Sequence, residues 1–187
     1  MKLLEDRIIQ TGRIINNEIL KVDNFLNHQI DVNLINEIGK DIASIYPNAN
    51  KVVTIETSGI AIAYATSLAL NNCPLVFAKK QASKITSNNN YTAKVKSFTK
   101  GVTYDISIDK SYLNKGDKIV IVDDFLANGN AGVGLVELIR QSGAEILGFA
   151  SAIEKGFQGG RENIERLGIK VYSCAIIKAF KDNKPVF

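Results

Sequence analysis

The chain has 187 residues, 45% hydrophobic and 22% charged, a composition that fits one globular domain and excludes a disordered or fibrous chain. Its net charge of +4 and pI near 9.0 suit a small anionic ligand, and no dense Lys/Arg stripe marks a nucleic-acid binder. The two cysteines, Cys73 and Cys174, form neither a CxxC pair nor a zinc pattern and read as buried free thiols in a reducing cytosol. Met1 to Gln10 carries Glu5, Asp6 and Arg7 and does not read as a signal peptide. No apolar run reaches the roughly 18 residues that a membrane helix needs.

In chain order, Leu3, Leu4, Ile8 and Ile9 share a helical face that Gly12 ends. Asp31 caps a second helix, on which Leu34, Ile35, Ile38, Ile42 and Ile45 recur near the helical period, and Pro47 stops it. The β-branched run KVVTIE (51–56) then predicts a strand, Thr57-Ser58-Gly59 a turn, Ile60 to Leu70 a helix and Leu75 to Lys79 a second strand. The module recurs. Lys118 to Asp123 predicts a strand, Phe125 to Asn130 a loop, Gly132 to Ser142 a helix and Ile146 to Ile153 a strand. Arg161 to Leu167 predicts a helix and Lys170 to Ile176 the last strand. Apolar strands alternating with helices argue for an α/β fold, a mainly parallel sheet covered on both faces. Between the modules, the span 81–101 is polar, with Ser83, Thr86, Ser87, Asn88, Asn89 and Asn90, and reads as a functional lid or an idle loop. Thr103 to Asp109 reads as an antiparallel strand beside it.

Ligands of open α/β sheets bind beyond the carboxyl ends of the strands. There the segment VIVDDFLANGNAG (120–132) brings Asp123 and Asp124 to the sheet edge, followed by amides from Ala127 to Ala131 ahead of a helix N-terminus. Such amides and the helix dipole make an anion site, and Gly129 permits the turn that aims them. Carboxylates beside an anion cradle make sense for a ligand that also carries hydroxyls, as a ribose phosphate does. Neither GxxxxGK[ST] nor GxGxxG is present.

This segment resembles the phosphoribosyl pyrophosphate loop of the type I phosphoribosyltransferases. LKVDNFLNHQID (20–31), TIETSGIA (54–61) and VKSFTKG (95–101), met in the same order, make the resemblance closest to the xanthine phosphoribosyltransferase family. It covers nearly the whole chain. Many members carry Thr hydroxyls in the loop where this chain has Asn128, Asn130 and Ala131, which leaves more to backbone amides and fits the xanthine-using branch.

The resemblance implies a single type I phosphoribosyltransferase domain over 1–187. In it, 1–46 would form N-terminal helices and a base-binding hood, and 51–176 the α/β core with a flexible lid at 81–101. Asp123 and Asp124 would receive the ribose hydroxyls and act catalytically. Ala127, Asn128, Gly129, Asn130 and Ala131 would hold the ribose phosphate, and Thr57, Ser58 and Gly59 the pyrophosphate. Lys79, paired with Lys80 after its strand, would supply a cation there or stand as a solvated lysine. Leu20, Asn27, Lys155 and Phe157 would meet xanthine, while the only histidine, His28, reads as structural. Lys94, Lys96 or Lys100 would serve the lid. The expected reaction makes xanthosine 5′-monophosphate for purine salvage, with Mg2+ held mainly through the substrate. The expected assembly is a cytoplasmic homodimer with neither nucleic acid nor membrane as partner. The alternatives are a guanine or hypoxanthine enzyme, and a non-enzymatic regulator built on the same fold. The roughly 50 residues ahead of the core lack the helix-turn-helix that such a regulator needs.

Overall fold

The computed structural model describes residues 1–81, 89–96 and 102–187. Helix α1 (Lys2–Thr11) buries Leu4 and Ile8 and leads into a short antiparallel ribbon, β1 (Arg13–Ile15) and β2 (Ile19–Lys21). A π-helical turn, Asp23–Asn27, buries Phe25 and Leu26. Helix α2 (Val32–Ile45) starts as expected, with the Asp31 carboxylate accepting from the Leu34 amide. Its apolar stripe reaches the core except at Ile45, which the last turn leaves exposed.

The core begins at β3 (Lys51–Ile55), whose five residues are all buried, as a central parallel strand requires. It is followed by α3 (Gly59–Ala69), β4 (Leu75–Gln81), β5 (Asn90–Lys96), β6 (Thr103–Asp109) and β7 (Lys118–Leu126). Then come α4 (Asn130–Arg140), β8 (Glu145–Lys155), α5 (Gly160–Glu165) and β9 (Val171–Ile177). Seven strands form one sheet in the order β5-β6-β4-β3-β7-β8-β9. The run from β4 to β9 is parallel, and β6 and β5 extend it antiparallel. One apolar cluster fills the face under α1, α2 and α3, the other the face under α4 and α5. The expected type I phosphoribosyltransferase architecture is therefore the observed one.

The corrections follow from strand length. β7 runs to Leu126, so Asp123 and Asp124 sit within it and the connection to α4 is short. β4 runs to Gln81, so Lys79 and Lys80 pair in the sheet with Ser107 and Ile106 instead of following the strand. Within the expected lid, 90–96 is strand β5, paired along its whole length with β6. Tyr91, Ala93 and Val95 alternate inward against the core, a period of two hidden by polar neighbours. The remaining lid positions, 82–88 and 97–101, lie outside the described residues. Cys174 is buried, but Cys73 is only half-buried. A second ribbon, β10 (Ala179–Lys181) and β11 (Lys184–Val186), follows β9 and was not foreseen.

Candidate functional site

The order β4-β3-β7-β8 places four strand ends side by side, and their loops carry the expected residues. Asp123 and Asp124 are each only 7% exposed. The Asp124 amide donates to Asp123 Oδ1 at 2.9 Å. Burial first, then the neighbouring Asp124 charge, pushes the Asp123 carboxyl well above its ordinary range, against an opposing pull from Lys80. Two buried acceptors side by side are well placed to meet hydroxyl donors.

Beyond the pair, Gly129 holds φ +78 as it starts α4 and has no side chain with which to cap it. The Asn130 amide donates to Asn128 Oδ1 at 3.2 Å, and Asn130 Nδ2 donates to the Lys96 carbonyl at 2.9 Å. Asn163 Nδ2 donates to the Asn128 carbonyl at 2.9 Å. A Cβ on Gly129 would lie 2.7 Å from the Gly160 carbonyl oxygen, and one on Gly160 would lie 2.3 Å from that of Ala127. The turn is thereby pressed backbone to backbone against the start of α5. A helix N-terminus preceded by such a turn can receive a phosphate.

The Thr57-Ser58-Gly59 turn lies on the adjoining strand end, with Thr57 and Ser58 exposed. The Glu56–Thr57 peptide bond is cis. Gly59 permits the close approach of α3: its Cβ would stand 2.5 Å from Thr54 Oγ1 and 2.9 Å from Asp123 Oδ1. That buried Thr54 hydroxyl has no hydrogen-bond partner. The Lys80 amide donates to Glu56 Oε1 at 2.6 Å, and its ammonium lies 5.6 Å from the Tyr104 ring centroid. Of the lysine pair, Lys80 carries its charge toward Asp123. Lys79 lines a separate hollow with Phe77, Asp109 and Tyr112.

The expected base residues lie in two places. Asn27 joins Leu26, Ile30, Thr57, Ser58 and Tyr64 in lining an apolar groove of about 430 Å³. Lys155 ends β8, and its Nζ donates to the Glu18 carbonyl at 3.3 Å and lies 5.9 Å from the Phe180 ring centroid. Burial pushes the Lys155 ammonium down from its usual value, with Glu18 opposing. Phe157 meets Phe180 edge to face at 5.4 Å. The Leu20 side chain is buried in the core, and the residue pairs with Ile14 across the first ribbon. His28 is exposed beyond the π-helical turn.

Sequence reasoning missed a buried strut between the phosphate and base loops. Arg161 donates Nε to Glu154 Oε1 at 3.0 Å and a terminal nitrogen to Oε2 at 2.6 Å, a bidentate pair. Ser173 Oγ donates to the same Oε2 at 2.6 Å and lies 2.9 Å from Ser151 Oγ. Glu154 directly precedes Lys155, and Arg161 directly follows Gly160. Glu154 ending an apolar strand was a readable signal, but its partner seven residues later was not. Phe180 lies beyond the last predicted strand and gave no signal of its own. Among the described residues, no three His, Cys, Asp or Glu cluster to hold a metal.

The phosphoribosyl transferase domain family matches residues 21–180. Xanthine phosphoribosyltransferase 2 of Clostridium botulinum strain Langeland is 51% identical over the full length of both chains. The xanthine phosphoribosyltransferase of Streptococcus uberis is 50% identical over 98% of this chain and 96% of its own. Among solved structures, adenine phosphoribosyltransferase of Giardia lamblia, complexed with 9-deazaadenine, superposes with TM-score 0.77 at 18% identity, covering 92% of this chain and 97% of that one. The adenine phosphoribosyltransferase of Rhodothermus marinus gives TM-score 0.75 at 18% identity, covering 95% and 100%. These two establish the shared fold alone. The family match and the full-length relatives fix the lineage: the chain belongs to the phosphoribosyltransferase family, in the group of xanthine phosphoribosyltransferases.

Proposed function

We propose that the protein transfers the 5-phosphoribosyl group from phosphoribosyl pyrophosphate to N9 of xanthine, releasing pyrophosphate and forming xanthosine 5′-monophosphate in purine salvage. The observation that carries the transfer is the buried Asp123–Asp124 pair set ahead of the glycine-led start of α4. The base assignment rests on the full-length relatives.

In this reading the ribose hydroxyls donate to Asp123 and Asp124. The amides from Ala127 to Ala131, with Asn128 and Asn130, hold the 5′-phosphate against the α4 dipole. Thr57, Ser58 and Gly59 face the pyrophosphate. Lys80 is better placed than Lys79 to add a cation there, because it shares the face of Asp123. As N9 of the xanthine anion, its proton already lost to water, forms the C1–N9 bond and the C1–O bond to pyrophosphate breaks, positive charge grows on the ribose ring, as in other glycosyl transfers. Two carboxylates beside the ring stabilise that charge, and the chain supplies orientation and shielding instead of a covalent nucleophile. The base rests between Asn27 on the hood and Lys155 and Phe157 after β8, with the Leu20 backbone as a further contact.

The acid pair offers only oxygen donors, which suit a hard cation. Mg2+ carried by the diphosphate would neutralise part of the leaving charge. A cytoplasmic homodimer completes the proposal. No described helix is long and apolar enough to cross a membrane. Exposed Tyr64 and Leu68 on α3 and Phe77 on β4 supply apolar surface that a second copy would cover, which sedimentation tests directly.

The deciding experiment is turnover with phosphoribosyl pyrophosphate, Mg2+ and each of xanthine, guanine and hypoxanthine. Xanthine is expected to give the highest kcat/KM. A preference for guanine would overturn the base assignment, and no turnover with any purine would overturn the reaction.

A further inference from the structure

The two ribbons beside Lys155 are fastened to each other at their tips. The Asn17 amide donates to Asn183 Oδ1 at 3.1 Å, and the Asn183 amide donates to Asn17 Oδ1 at 2.7 Å. Asn17 is the second of the three residues that join β1 to β2, and Asn183 the second of the two that join β10 to β11; each follows a neighbour that shares its left-handed backbone. Asn16 and Asn17 have φ 54 and 51, and Asp182 and Asn183 have φ 51 and 56. Asparagine and aspartate tolerate that conformation better than other side chains, and here the asparagine amide and carbonyl are both used. Neither ribbon belongs to the seven-stranded sheet. Each ribbon is anchored on the core, through Leu20 and Ile14 in one and Phe180 in the other, and the reciprocal pair of bonds joins their otherwise separate tips.

Lys155 lies under this junction. Its ammonium is held by the carbonyl of Glu18, the residue after Asn17, and faces Phe180, three residues before Asn183. One carbonyl meets only one of three N–H donors, so two remain for an incoming acceptor. Phe180 also sets Phe157 through its edge contact. Two of the residues assigned to the base therefore take their positions from the two fastened ribbons.

We propose that Asn17 and Asn183 are positioning residues of the purine side, a clasp that makes the two ribbons one jaw and fixes Lys155 and Phe157 against the base. The proposal rests on the reading above only in that the base lies against Lys155. Asn17→Gly and Asn183→Gly keep the left-handed turn and remove one clasp bond each, whereas Asn17→Asp keeps the accepting oxygen. Each glycine variant is expected to raise the KM for the purine by about 3- to 10-fold. kcat and the KM for phosphoribosyl pyrophosphate should stay within about twofold, and Asn17→Asp should stay near wild type. Kinetics are read with whichever purine the wild type uses best, so a changed base preference sinks only the base assignment. An unchanged purine KM in both glycine variants, or an equal rise in both KM values, overturns the clasp. A second measurement needs no variant. Amide exchange at Asn17 and Asn183 in the wild type should slow when xanthine, pyrophosphate and Mg2+ are added together. Fast exchange at both tips with and without them overturns the clasp, even if the wild type turns over no purine at all.

Discussion

The phosphate side and the base side of the site are built differently. On the phosphate side the recognising groups are backbone amides and two buried carboxylates, and the turn is wedged between glycines that leave no room for a methyl. On the base side, Asn27, Lys155 and Phe157 are exposed or half-buried side chains from three different elements, and the last two lean on ribbons that stand outside the main sheet. In the proposed reading, the substrate that all such transferases share is gripped by the least mutable part of the fold. The base that distinguishes them would then be chosen by side chains replaceable one at a time. Rigid backbone supplies affinity for a fixed ligand, while side chains on ribbons supply choice.

The sharpest way to break this contrast is to remove a carboxylate. Asp123→Asn and Asp124→Asn should each lower kcat/KM by roughly 10²- to 10³-fold for every purine alike, the scale of losing one transition-state electrostatic contact. Calorimetry should find weakened phosphoribosyl pyrophosphate binding. Wild-type affinity in both variants would remove the pair from the substrate site.

On the base side the effects should be selective. Asn27→Ala should narrow the preference of xanthine over guanine by roughly 5- to 150-fold, because position 2 of the base loses its polar partner. Lys155→Ala should instead lower use of all three purines, xanthine most where it is anionic. An unchanged xanthine-to-guanine ratio in Asn27→Ala would take that residue out of the site.

Gly160→Ala tests the wedge. The added methyl would meet the Ala127 carbonyl at 2.3 Å, so the phosphate turn has to move. Overpacking of this kind costs about 1–3 kcal/mol, a fall of roughly 2–10 °C in Tm for a chain this size. The KM for phosphoribosyl pyrophosphate should rise with purine KM little changed. A variant with wild-type Tm and KM would mean that the turn is not constrained there.

The smallest effect carries a sign opposite to the first. The Asp123 carboxyl is held well above its ordinary range, so the folded state binds its proton more tightly than the unfolded chain does. Its contribution to stability is present below the unfolded value near 4 and drains away as pH rises through the folded one. Asp123→Asn removes that loss. The variant should match wild type at acid pH and exceed its Tm at pH 8. A lower Tm at pH 8 would show that the carboxylate is needed by the fold.

Much of this was legible beforehand. KVVTI and KIVIVDD announced buried strands because every residue after the leading lysine is apolar, β-branched or a terminal acid, and Asp31 announced its helix through its capping oxygen. The acid pair and the glycine after it were legible because that chemistry is local in the chain. What stayed hidden depends on long-range partners. Nothing near Asn17 in the chain points to Asn183, and Asn-Asn and Asp-Asn are weaker turn signals than Asn-Gly. Which lysine of the pair at 79 and 80 faces the acids is fixed by sheet register, and one residue of slip would exchange them.

The strut from Glu154 to Arg161 bears on how such an enzyme can change its substrate over evolutionary time. Moving Lys155 to suit another purine means moving the end of β8, and Glu154 beside it is tied through Arg161 to the helix start pressed on the phosphate turn. A drift in base choice by that route would spoil the grip on the shared substrate. Asn27, on a separate element with no tie to the strut, is the open route by which new preferences can be selected or designed.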